Sequence, residues 1–185
     1  MFERAKEFAG RLMGRDGPRR AAHELYVQVA EAARRPEFYR DMLAPDTTEG
    51  RYDILSLHMI LVLRRLKAER ERTAPFAQLV FDVMFRDVDD SLREMGVGDL
   101  RVGKKVRGYA EAFFGRALAY EEALDGEGGL RDALSRNVFG DEDAPGAAHL
   151  AEYVRKADKA LAEQSIDAIL DGTATFPPIL QGEME

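Results

Sequence analysis

The chain of 185 residues contains no cysteine and only three histidines. Without cysteine it can form no disulfide bond, no thiolate metal site and no cysteine nucleophile. The three histidines, His23, His58 and His149, lie far apart and do not have the spacing of metal ligands. No Ser–His–Asp set or pair of catalytic carboxylates is recognisable. We therefore expect a protein that is not an enzyme and that has no cofactor and no metal.

Long apolar runs are also lacking. The longest, Ile54–Leu63, contains Ser56 and His58 and is about half as long as a bilayer crossing requires. The first residues, MFERAKEFAGRLMG, contain no apolar signal region, so we expect a cytoplasmic location. Residues 2–13 have an amphipathic pattern. This pattern is compatible with contact with a membrane surface and with docking of the segment on the domain.

The formal net charge is −7, and the charges are unevenly spread. Residues 1–40 hold nine Lys or Arg against six Asp or Glu, whereas residues 119–185 hold five against fifteen. Because phosphate contacts dominate the affinity for duplex DNA, an acidic chain of this kind is a poor candidate for DNA binding. A divided charge fits a protein that binds partners, and it also fits an ordinary solvated surface.

Apolar residues recur at steps of three and four, and no segment alternates as a strand does. The sequence therefore predicts an all-α fold, a single compact domain of about six to seven helices. The predicted helices are 20–34, a short turn after Pro36, 51–72, 76–95, 102–124, 130–138 and a last helix from Asp143 to Gly172. Thr73 is expected to cap the helix that follows it, with Pro75 in the first turn.

Two long amphipathic helices, 76–95 and 102–124, are predicted on either side of Gly96 and Gly98. Glycine tolerates the left-handed conformation that ends a helix, so the two helices should fold back as an antiparallel pair at the centre of the domain. We expect a helical domain over 19–172, an amphipathic or flexible segment over 1–18, and an extended tail over 173–185, where Pro177 and Pro178 prevent a helix.

Two segments partly match known binding motifs, but each lacks residues that the motif requires. Residues 98–105 are one residue short of a phosphate-binding P-loop, because Lys105 occupies the position of the Ser or Thr that holds magnesium. A helix rather than a strand precedes the match, so we expect no nucleotide hydrolysis. Residues 87–91, DVDDS, lack the glycine and the final glutamate of a calcium loop.

Three cations lie near the start of the predicted helix 102–124, where positive charge is unfavourable. The helix dipole disfavours positive charge in the first turns, yet Lys104, Lys105 and Arg107 lie there. Either nearby Asp87, Asp90 or Asp99 offsets these charges, or the cations bind an acidic partner, a lipid headgroup or an RNA phosphate. Our hypothesis is that this turn belongs to a recognition surface.

Three blocks resemble the ubiquinol–cytochrome c chaperone family of assembly factors for the cytochrome bc1 complex. They are RYDILSLHMILVLRRL at 51–66, FDVMFRDVDDSLREMGVGDLRVGKKVRGYAEAFFGR at 81–116 and LSRNVFG at 134–140. The resemblance covers roughly residues 20–155 and suggests a bacterial member with little beyond the core domain. It implies a non-enzymatic chaperone, located in the cytoplasm or peripherally on the cytoplasmic face of the inner membrane.

In this family, mitochondrial relatives bind newly made cytochrome b, together with a small partner protein, near the ribosome and the inner membrane. By analogy, the expected client of this protein is cytochrome b, which it would hold until assembly into the bc1 complex. The residues expected to bind the client or a partner are polar positions within the matching blocks, namely Arg51, Asp87, Asp90, Lys104, Lys105 and Arg107, with His58 as an outside choice. A histidine in an apolar helix is more often a hydrogen-bonded core residue.

A groove between the long helix pair and helix 51–72 is the expected client site. The alternatives are a peripheral-membrane or protein-interaction module unrelated to bc1 assembly, an all-α enzyme with an unrecognised site, and an RNA- or ribosome-binding protein.

Overall fold

The structure is a computed structural model that describes residues 17–126 and 128–179. These residues form helices and connecting turns, with no strand among them, so the prediction of an all-α domain is confirmed. The predicted amphipathic segment 2–13 lies outside the described residues. The helices are α1 (Gly17–Ala33), α2 (Glu37–Arg40), α3 (Thr48–Lys67), α4 (Arg70–Glu94), α5 (Asp99–Leu124), α6 (Leu130–Leu134), α7 (Gly146–Glu163) and α8 (Ile166–Leu170), with a π-helical turn at Ser135–Phe139.

Helix α3 is the centre of the domain because helices pack on it from several sides. Apolar residues cover more than one stripe of this helix, and twelve of its twenty residues are buried. Helices α1, α4, α5 and α7 all contact it. The antiparallel pair α4 and α5 flanks α3 on one side, and α5 buries only four residues. Much of the surface of α5 is therefore left open.

The predicted helix 51–72 was wrong at both ends. Helix α3 begins earlier, because the Thr47 side chain accepts a hydrogen bond from the backbone N–H of Gly50 at 3.1 Å and caps the helix. Glycine is required at position 50, since a Cβ there would lie 2.0 Å from the carbonyl oxygen of Pro45. The helix ends at Lys67, and α4 starts after a short break at Ala68 and Glu69.

Thr73 does not cap α4, contrary to the sequence prediction. It is buried within the first turn of α4, where its hydroxyl donates to the carbonyl oxygen of Leu66 at 2.5 Å and also lies 3.1 Å from that of Glu69. The Thr73 side chain thereby ties the end of α3 to the start of α4, and both carbonyl oxygens also accept backbone N–H groups. Because the helix begins at Arg70, Pro75 lies inside α4 rather than in its first turn as predicted.

The turn between α4 and α5 matches its prediction. Gly96 has a φ of 82°, the left-handed conformation that glycine adopts without cost, and α5 begins at Asp99. Gly140, with a φ of 66°, ends the π-helical turn after α6. The predicted last helix is divided into α7 and α8 at Gln164 and Ser165, whose backbone is extended.

The segment that follows α8 is held against the domain by side chains of α1 and of the α7–α8 connection. The Gln28 amide donates to the carbonyl oxygen of Gly172 and accepts from the N–H of Ala174. The Gln164 amide makes the same paired bonds with the backbone of Thr175. Phe176 is buried against the core. The domain therefore continues structurally to at least this residue.

Candidate functional site

A groove opens at the end of the α4–α5 pair, where α1 and α3 pack against it. It has a volume of about 250 Å³ and connects with solvent. Its floor consists of apolar side chains and aromatic rings, namely Ala30, Ala33, Tyr39, Tyr52, Leu55, Val88, Leu92, Met95 and Tyr109. Polar side chains line its rim, namely Arg34, Thr48, Arg51, Asp87 and Ser91. An apolar floor with a polar rim can take one or two large side chains of a bound segment.

The aromatic part of the floor is fixed by contacts between helices. The Tyr52 hydroxyl of α3 donates to the carbonyl oxygen of Tyr109 in α5 at 2.7 Å, and the two rings lie 4.4 Å apart. Burial raises the pKa of Tyr52 to about 12, so this phenol remains protonated. The Tyr39 hydroxyl donates to the carbonyl oxygen of Ala33 at 2.9 Å. Bonds within the chain therefore fix the positions of two of the rings that line the groove.

Of the residues predicted from sequence, Arg51 and Asp87 lie in the groove. Arg51 is exposed at its rim, where it forms an ion pair with Asp46 at 2.6 Å and lies 5.4 Å from the centre of the Tyr39 ring. Asp87 is half-buried and accepts a hydrogen bond of 2.5 Å from the Tyr26 hydroxyl of α1. Burial raises the pKa of Tyr26, and the bond to Asp87 raises it further.

The predicted cations are divided between two sides of α5. Lys105 precedes Tyr109 by four residues and therefore lies on the groove side, one helical turn away. By the same geometry Lys104 and Arg107 lie on the outer side. All three are exposed, and within residues 17–126 and 128–179 none forms an ion pair with Asp87, Asp90 or Asp99. Asp90 is exposed on α4 and does not line the groove.

His58 lies in the core and has no exposed surface with which to touch a partner. Its two ring nitrogens lie 2.8 Å from the carbonyl oxygen of Ile54 and 2.8 Å from the hydroxyl of Tyr153. The rings of Phe38 and Phe176 pack edge-on against it. Burial lowers the pKa of His58 to about 4, so the ring is neutral at physiological pH. The arrangement is that of a hydrogen-bonded core histidine.

Sequence reasoning missed a buried ion pair between α3 and α5. Asp53 and Arg116 approach to 2.6 Å, and their side chains are 11% and 17% exposed, respectively. Burial raises the pKa of Asp53 to about 7, while Arg116 opposes this shift. Beside the pair lies the hydroxyl of Tyr120, which has no hydrogen-bond partner among the described residues. The sequence indicates this pair only through Asp53 itself, an acidic residue on the apolar stripe of α3, four residues before Leu57.

A second apolar surface covers the outside of the α4–α5 pair. Phe81 and Phe85 of α4 lie 4.6 Å apart, and Phe81 stacks on Phe114 of α5 at 5.6 Å. Phe114 and Leu118 are each 60% exposed. We call these four residues the aromatic face; they share no residue with the groove. Exposed apolar clusters of this kind are typical of surfaces that bind other molecules.

Other kinds of site are not found in the part of the chain that the structure describes. Among those residues there is no cluster of three or more His, Asp or Glu that could hold a metal ion. None of the described helices is long and apolar enough to cross a membrane.

Comparisons with known proteins place this geometry in a family. The sequence profile of the ubiquinol–cytochrome C chaperone family matches residues 40–176. The mouse and human proteins named ubiquinol–cytochrome c reductase complex assembly factor 1 are each 29% identical over 165 residues, 87% of this chain. The chain spans only 56% and 55% of their respective lengths.

A solved structure gives the same result. The crystal structure of the Cbp3 homologue from Brucella abortus is 35% identical, with a TM-score of 0.79 that covers 96% of this chain and 95% of that one. The resemblance inferred from three sequence blocks is thereby confirmed. This chain belongs to the ubiquinol–cytochrome c chaperone family.

Proposed function

We propose that this protein is a non-enzymatic chaperone for assembly of ubiquinol–cytochrome c reductase, and that its client is newly made cytochrome b. Family membership supports the first part, since the curated relatives are named as assembly factors of that complex. The observation that supports binding of a client segment is the groove beside α3, with its apolar floor, its polar rim and its opening to solvent.

The chemistry of the groove suits a segment of a membrane protein that has not yet been inserted. Such a segment carries large apolar side chains, whose burial against Leu55, Val88 and Leu92 removes them from water. The exposed Arg34 and Arg51 at the rim can donate to the backbone carbonyl groups of the bound segment. The aromatic face provides further apolar surface for a client with several such segments. A small partner protein or a ribosome contact, expected by analogy with the family, is compatible with this arrangement.

The buried polar groups of the domain support a non-enzymatic role. His58 bonds to Tyr153 and Ile54 within the core, and Asp53 pairs with Arg116 between two helices. Both titratable groups are therefore engaged in holding the fold. We propose a location in the cytoplasm and peripherally on the cytoplasmic face of the inner membrane, where a membrane subunit is made.

Site-specific photo-crosslinking tests the binding step directly. A photo-reactive amino acid replaces Ser91, which is exposed in the groove, or Ala148, which is exposed on α7 outside the groove and outside the aromatic face. We expect a crosslink to newly made cytochrome b from position 91 and none from position 148. Equal crosslinking from the two positions, or none from position 91 while the protein is present and folded, contradicts the proposal.

A further inference from the structure

The turn between α4 and α5 exposes apolar and basic side chains together. Leu100 is 100% exposed and Met95 is 54% exposed, although both are large apolar residues. Four cations follow within the first turns of α5, namely Arg101, Lys104, Lys105 and Arg107, and all four are exposed. We call these six residues the basic tip.

The cations of the basic tip are not paired with acidic side chains within the described part of the chain. Asp99, the acid at the start of α5, pairs with Arg93, and Arg93 also pairs with Asp89 at 2.6 Å. Among residues 17–126 and 128–179, no salt bridge involves the four cations of the tip. The whole chain carries a net charge of −7, so this concentration of positive charge is local. It is complementary to an anionic surface.

The exposed leucine distinguishes between kinds of anionic partner. Helix geometry places Leu100, Lys104 and Arg107 on one face of α5, so an apolar side chain projects beside two cations. A nucleic acid would contact the cations but would leave Leu100 in water. A bilayer interface accepts both, since apolar side chains enter the boundary of the acyl chains while Lys and Arg bind anionic headgroups.

We propose that the basic tip docks this protein on the surface of a bilayer that contains anionic lipid. The proposal deepens the peripheral location given under Proposed function and rests on it. Met95 belongs both to the tip and to the lining of the groove, whereas Leu100, Lys104 and Arg107 lie on the side of α5 away from Tyr109, so docking through that face leaves the groove uncovered beside the membrane surface.

Co-sedimentation of the full chain with vesicles tests the proposal. The vesicles contain phosphatidylcholine alone or phosphatidylcholine mixed with phosphatidylglycerol. We expect binding only to the mixed vesicles, weaker binding as salt is raised, and a loss of about tenfold or more in affinity for K104Q combined with R107Q. L100S should weaken binding as well. The matched controls are R155Q combined with K156Q, exposed cations on α7, and L43S, an exposed leucine in a loop.

Two results overturn the proposal. One is unchanged vesicle binding by the tip variants, which would assign the membrane contact to another part of the chain. The other is absence of binding to either kind of vesicle. If the tip instead binds a single-stranded RNA oligonucleotide, its partner is a nucleic acid. Thermal unfolding confirms that each variant is folded. The assay contains no client, so its failure leaves the cytochrome b proposal standing, and a failure of that proposal leaves vesicle binding intact.

Discussion

The Nε2 atom of His58 in α3 lies 2.8 Å from the Tyr153 hydroxyl in α7, at a point where neither side chain is open to solvent. The other ring nitrogen lies 2.8 Å from the carbonyl oxygen of Ile54. With a donor or acceptor beside each nitrogen, the neutral ring is fully satisfied. A proton added to this ring would place a charge in the core.

This arrangement predicts a loss of stability in acid. Burial lowers the pKa of His58 from 6.5 to about 4. Between pH 4 and pH 6.5, therefore, the histidine binds a proton in the unfolded chain but not in the folded one. The free energy of unfolding should therefore be greatest above pH 6.5 and should fall as the pH approaches 4, by about 3 kcal/mol from this residue. Urea unfolding across this range measures it.

The contribution of His58 can be separated from that of other groups. H58Q removes the titration, so the variant should be less stable near neutral pH and should show a shallower dependence on pH. H149Q, at an exposed histidine of α7, should reproduce the wild-type dependence. An equally steep dependence in H58Q would show that other groups cause the acid sensitivity.

The ion pair of Asp53 and Arg116 gives a second prediction. R116M removes the partner of a mostly buried carboxylate and should lower the free energy of unfolding by about 3 kcal/mol. The loss should be smaller below pH 7 than above it, because burial favours the protonated form of Asp53, whose pKa is raised to about 7. R93M, which breaks exposed pairs with Asp89 and Asp99, should lower the free energy of unfolding far less than R116M does.

Hydrophobic periodicity was enough to predict the helices and the all-α fold, but not the breaks between helices. At the end of α3 the buried Thr73 hydroxyl bonds to Leu66, and at the end of α7 the Gln164 side chain bonds to Thr175 while its carbonyl oxygen accepts from Arg65 of α3. Those partners come together only in the folded structure. Gly96, by contrast, was predictable because its left-handed backbone is a local property.

The candidate site was predictable only in part, for a related reason. Arg51 and Asp87 are polar residues in blocks of otherwise apolar periodicity, and both line the groove. His58 is polar as well, but α3 is buried on several sides and leaves no outward position for it. The pairing of Asp53 with Arg116 depends on which face of α5 meets α3, and a single sequence does not contain that information.

Filling the groove should impair the chaperone without unfolding it. Ser91 is exposed at the rim, so S91W places a large ring over the floor while disturbing few buried contacts. We expect the variant to melt near the wild-type temperature and to give a reduced level of cytochrome b in cells. A148W, at an exposed small residue of α7 outside the groove, should support the wild-type level. Equal levels in the two strains would argue against client binding in the groove.

The aromatic face is tested by a substitution at its exposed end. Leu118 is 60% exposed, so L118S should change stability little, but it removes apolar surface beside Phe114. We expect weaker crosslinking between the protein and newly made cytochrome b. L43S is the matched control, because Leu43 is also 60% exposed and lies in the loop before α3. A loss of crosslinking in both variants, or in neither, would exclude a specific role of the face.

The central claim is that this protein supports the assembly of cytochrome b into its complex. The most direct measurement is the amount of membrane cytochrome b in a strain that lacks the gene, with the cytochrome b transcript followed in parallel. We predict a selective fall in the protein at an unchanged transcript level, restored by the wild-type gene. An unchanged amount of cytochrome b, with normal activity of ubiquinol–cytochrome c reductase, would contradict the account.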